Sequence, residues 1–161
     1  MIKQSWHAIV LLVAACSAGP AAGPVTPSST SAVAAVESFM QAVADSNLPR
    51  LATLWGTAAG PAAKTGQPTD WERRVAVMQT YLRNESHRVL PFSPADGARQ
   101  DVQVEIRRDL CTWVVPFTAI RLGDGSWLVN QVDLTKAGNP ARPCGPGGPT
   151  GRATEDTTAA E

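Results

Sequence analysis

Three cysteines, two histidines and one tyrosine hold most of the side-chain chemistry open to a chain of 161 residues. Cys16, Cys111 and Cys144 could serve as metal ligands, nucleophiles or disulfide partners. Zinc-type ligation needs closely spaced thiolates or imidazoles, and the chain has neither a paired-cysteine nor an H-x-x-H spacing. No metal site and no cofactor are therefore expected. A serine nucleophile would need a motif such as G-x-S-x-G, and "GDGSW" at residues 123–127 reads as a turn instead. For general acid and base work the best remaining groups are Tyr81, His87 and Asp133, with Glu105 and Asp109 on segments whose alternation puts them at the surface. Each reads more simply as a surface or satisfied polar residue. Trp55, Trp71, Trp113 and Trp127 are amphipathic rings that could line a ligand pocket, and their spacing suits a core equally well.

Cys16 has a different reading, because an apolar run leads directly into it. Lys3 supplies a positive start, residues 8–14 ("AIVLLVA") an apolar stretch and Ala14 and Ala15 small side chains, as in a secretory signal. The run falls well short of the ~20 residues a membrane-spanning helix needs. The stretch "VAAC" at residues 13–16 resembles the lipobox of bacterial lipoproteins. That resemblance implies removal of residues 1–15, diacylglycerol on the Cys16 sulfur, and a mature protein anchored by its own N-terminus in the cell envelope and facing the periplasm. Ser17 is not the aspartate of an inner-membrane retention signal, so the outer membrane is the expected destination. The alternative is an ordinary secretory signal that leaves Cys16 as a disulfide partner or a free thiol. Both readings imply export. In an oxidising compartment Cys111 and Cys144 form an even pair and a bridge between them is permitted, with a stabilisation of roughly 3 to 4 kcal/mol in the chain-entropy model. Whether their Cα atoms approach is not legible in the sequence.

The charge balance narrows the partners. Formal net charge is zero, and Arg73-Arg74 and Arg107-Arg108 are the only adjacent basic pairs, so a nucleic-acid footprint is not expected. Each pair reads as the solvated face of an element. Residues 16–31, rich in Gly, Pro, Ala and Ser, read as a flexible tether, and residues 136–161 as a disordered Pro/Gly-rich tail. One domain over residues 32–135 remains.

Within it, Val33, Val36, Met40 and Val43 recur at helical spacing and predict a helix over 32–45. A short second helix starts near Pro49 and stops at Gly56, with Leu51, Leu54 and Trp55 on one face. Residues 57–69 read as a loop. Asp70 is placed to cap a third helix carrying Trp71, Val75, Met78 and Leu82. The period then changes to two. Val102, Val104 and Ile106 alternate with polar residues, residues 110–122 form a long apolar strand, and "GDGS" turns into "WLVNQVDL". Residues 87–92 are a weaker strand, and Pro116 should sit at a bulge or an edge. The expected class is α+β, with three N-terminal helices packed on a curved antiparallel sheet of three to four strands.

This order, together with "VESFMQAVADSNLPRLATLWG" (residues 36–56) and "GDGSWLVNQVDL" (residues 123–134), resembles the nuclear transport factor 2-like superfamily of cone-shaped domains over roughly residues 32–135. The resemblance implies a pocket between helices and sheet, for which Trp55, Trp71, Tyr81, Trp113 and Trp127 are the lining candidates. That superfamily hosts isomerases, dehydratases, carriers and binding modules, so fold does not decide activity. A steroid-isomerase-like member uses an acidic base and a tyrosine or protonated acid as donor, and no residue here matches such a motif position by position. The leading expectation is a non-catalytic binding module whose partners are the membrane, through its lipid, and a small apolar ligand or an envelope protein. The alternatives are an isomerase or dehydratase using a pocket acid and Tyr81, and a structural role through a homodimer formed on the exposed sheet face.

Overall fold

The computed structural model describes residues 29–90, 97–142 and 144. The signal segment 1–15, Cys16, the tether through residue 28 and the tail from residue 145 lie outside the described residues, as do 91 and 92 of the expected weak strand.

Helix α1, Ala32–Ala44, opens at Ser31, whose side chain accepts from the Ala34 amide, and buries Val36, Phe39, Met40 and Val43 along one stripe. Helix α2, Leu48–Leu54, is capped by Asn47 and has Pro49 in its first turn, where the missing N–H costs nothing. The expected loop over 57–69 is instead a two-stranded ladder, β1 (Gly56–Thr57) with β2 (Gly60–Pro61), followed by α3, Ala62–Thr65. The ladder depends on Gly56, where a Cβ would lie 2.2 Å from the Gly60 carbonyl oxygen. Helix α4, Trp71–Leu82, is therefore the fourth helix rather than the third, and it buries Val75, Met78 and Leu82.

The main sheet runs in the order β3 (Ser86–Val89), β4 (Arg99–Arg108), β5 (Cys111–Arg121), β6 (Trp127–Val132), all antiparallel. Alternation puts Val102, Val104, Ile106, Val115, Phe117 and Ala119 on the covered face. The turn before β6 closes with the Leu122 amide donating to the Ser126 carbonyl at 2.8 Å. Pro116 sits in β5, an inner strand, yet no ladder donor is missing. Its carbonyl accepts from Asp133 just past the end of β6, so the ring's nitrogen faces the point where that strand has stopped.

Helices and sheet meet in one apolar interior. Phe39 and Phe117 pack edge to face, 6.1 Å between ring centres, among fully buried Met40, Leu51, Leu82 and Ile106. Each such side chain contributes about 1.5 to 3 kcal/mol of burial. No helix among the described residues is long and apolar enough to cross a membrane.

Two domain boundaries differ from expectation. The chain is already paired at Ser29, whose carbonyl accepts from the Trp127 amide on the open edge of β6. It also continues past 135. Leu134–Lys136 form a 3-10 turn, Ala137 is completely buried, and Gly138 lies so close under Trp113 that a Cβ there would sit 2.5 Å from the ring. Residues 137–142 thus form a strap across the end of the sheet rather than the start of a tail, and a Cys111–Cys144 disulfide, Cα to Cα 5.9 Å, ties the chain down just beyond it.

Candidate functional site

The groove between α4 and β6 is built around one irregularity. Thr118 pairs with Gln131 and Ala119 with Val129, so Asn130 is the extra residue of a β-bulge. The indole Nε1–H of Trp55 donates to the Asn130 carbonyl at 2.9 Å, and the Asn130 side-chain amide donates to the Gly56 carbonyl at 2.8 Å. A buried ring and a bulge hold each other in place. A local signal for this existed in the aromatic that follows α2, but its partner lies 75 positions along the chain.

Trp55 forms part of the floor of a groove of about 330 Å³, with Met78, Val132 and Leu134, and Val77 and Arg73 line the α4 side. Asp70, Arg74, Asn130 and Gln131 make up the rest of the lining. Asp70 occupies the N-cap position of α4, yet its carboxylate does not cap the helix; it takes the Arg74 Nε–H at 2.8 Å. That hydrogen bond first, and then the positive charges of Arg74 and Arg73, hold the carboxyl below its usual range. Arg73 has no ion-pair partner among the described residues. Val77, one turn further on, is 38% exposed, a large apolar side chain open to solvent beside the groove.

The other residues singled out in the sequence do not gather here. Trp71 is half-buried against the core. Trp127 is buried at the start of β6 and lines a separate depression of about 400 Å³ with Lys64 and Asp124. Trp113 packs at the opposite end under Arg108, whose guanidinium carbon lies 4.7 Å from the ring centre. Tyr81 is half-buried near the end of α4, and its carbonyl accepts from Arg108 at 3.1 Å. The aromatic set expected to line one pocket is thus spread over the domain, because the interior between helices and sheet is already filled by aliphatic and phenyl side chains.

Among the candidate acids and bases, the side chains of His87, Asp133 and Glu105 are likewise committed to partners of their own. His87 Nε2 lies 3.4 Å from Glu37. Asp133 accepts from the amide and hydroxyl of Thr135 and caps the 3-10 turn. Glu105 receives both contacts of Arg88 at 3.2 Å, and the Asp109 amide donates to Glu85. Among the described residues, no three His, Cys, Asp or Glu side chains converge in a way that could hold a metal ion. A larger depression of about 480 Å³, lined by Arg83, Glu85, Arg108, Asp109 and Pro140 among others, lies beside the strap. Its central arginine is already occupied, donating to the carbonyls of Tyr81, Arg83 and Ala137 at 3.1 to 3.2 Å.

Sequence reasoning missed Arg73, Val77 and Asn130. Val77 gave a signal, being an apolar residue off the stripe of Trp71, Val75, Met78 and Leu82. No known protein family, curated protein or solved structure matches the chain.

Proposed function

We propose that this chain is a lipid-anchored envelope protein whose single α+β domain, of the nuclear transport factor 2-like cone type, binds a small, partly apolar molecule in the α4–β6 groove without transforming it. The observation that carries the binding reading is the groove itself: a Trp55 ring hydrogen-bonded to the Asn130 bulge, which is in turn tied to Gly56, an apolar floor, and an exposed Val77 beside it. Among the described residues, Phe39, Phe117 and their neighbours occupy the interior between helices and sheet. Tyr81, His87 and Asp133 share no hydrogen bond with one another, which favours binding over an isomerase or dehydratase. The anchor rests on "VAAC" and Cys16, and the element order supports the cone.

Two measurements test this. Nile red, a neutral apolar probe, should give saturable one-site fluorescence with the chain produced from residue 17 onward, which carries no acyl groups, and Val77→Asp should weaken it about tenfold. Non-saturating fluorescence, or an unaffected variant, sinks the groove reading. Independently, Cys16→Ser expressed in a bacterium with two membranes should lose metabolic labelling by palmitate and leave the membrane fraction; continued labelling and sedimentation with membranes would overturn the anchor.

A further inference from the structure

We infer that the groove selects a small amphiphile with one negative charge, its anionic head on Arg73 and its apolar stem along Val77, Met78 and Leu134. The inference rests on the groove reading above and adds a ligand class to it.

Arg73 and Val77 are four residues apart on α4, which puts a guanidinium and an open apolar side chain on one face of the helix, one turn apart. Both line the groove. At this rim two guanidiniums meet one carboxylate. Asp70 is taken by Arg74 at 2.8 Å, which leaves one unit of positive charge on Arg73. A guanidinium presents several donors in a planar fork that suits a carboxylate. The other arginine beside a tryptophan, Arg108, already spends its donors on three carbonyls. A volume of about 330 Å³ lies at the small end of ligand sites, which suits a small molecule.

The test uses decanoate, decanol and decylammonium, three probes with one stem and three head charges, as competitors of Nile red on the unacylated chain from residue 17 onward at neutral pH. Decanoate should displace it at a concentration about three to five times lower than decanol, the upper range for an exposed ion pair, with decylammonium weakest. Arg73→Gln should bring the three within about twofold when each is read relative to the variant's own Nile red affinity, and added salt should shrink the decanoate preference in the unaltered protein. If the three compete equally, or if Arg73→Gln leaves the preference intact, the inference is wrong while the groove reading survives. If Nile red does not saturate in the unaltered protein, both fall together.

Discussion

Helix α4 has an arginine and a tryptophan near each end, and the two pairs have opposite fates. At its C-terminal end Arg108 reaches across from β4 and donates to the carbonyls of Tyr81 and Arg83, then to Ala137 of the strap, with its plane against Trp113. The last carbonyls of a helix have no intrahelical partner and carry the negative end of its dipole, so a cation there is bound on every side. At the N-terminal end a helix presents N–H groups rather than carbonyls, and the only carboxylate lining the groove is Asp70, already held by Arg74. The lesson is about acceptors. An arginine beside a tryptophan is part of the scaffold where carbonyls surround it, and is free to meet a ligand where they do not.

The strap end should therefore fail structurally when disturbed, and the groove end functionally. The largest effect is expected from removing the disulfide. Cys111 and Cys144 are 33 positions apart, and losing that loop constraint should lower stability by roughly 3 to 4 kcal/mol in urea unfolding, with Nile red binding at the remote groove preserved in the folded fraction. Loss of probe binding at full folding would break the distinction between the two ends. Next comes Arg108→Ala, which strips donors from three carbonyls and uncovers one face of Trp113. It should lower stability by about 2 to 3 kcal/mol, again without a change in probe affinity. A loss below about 0.5 kcal/mol, the scale of an ordinary surface substitution, would mean that Arg108 is no more structural than Arg73.

The smallest effect concerns acid. The Asp70 carboxyl is held below its ordinary value of 3.8 by the Arg74 hydrogen bond, and Asp124 is held below the same value by hydrogen bonds from Ser126. A carboxyl depressed in the folded state contributes stability that is complete above its unfolded value and disappears as pH falls through the folded one. Stability should thus be insensitive to these groups from pH 5 to 8 and dip slightly below about pH 4, because both carboxylates are solvent-exposed. Asp70→Asn should flatten its share of that dip. A steeper slope in the variant would reverse the assignment.

Some of the molecule is legible in the sequence alone. The stripe of Val36, Met40 and Val43 specified α1, the alternation of Val102, Val104 and Ile106 specified β4, and "GDGS" specified the last hairpin, because each is a period or a turn written in neighbouring residues. The ladder of β1 with β2 was not readable. "TAAGPAA" shows no period, and pairing there turns on how closely backbone approaches Gly56. The strap was hidden for a related reason. Its Pro and Gly residues look like tail composition, and only the ring of Trp113, 25 positions earlier in the chain, explains why position 138 must be glycine.

The groove divides in the same way. Trp55 could be picked out as a ring worth watching, but its hydrogen-bond partner exists only because β6 takes an extra residue at Asn130. Arg73-Arg74 and Arg107-Arg108 are indistinguishable as local sequence, and both read as solvated faces. The sequence by itself determined the periodicities, the turns and the α+β class, since those depend on residues within a few positions of one another. Tertiary structure alone decided which arginine is enclosed by carbonyls and which faces a groove, because hydrogen-bond acceptors are supplied by whatever part of the chain folds alongside.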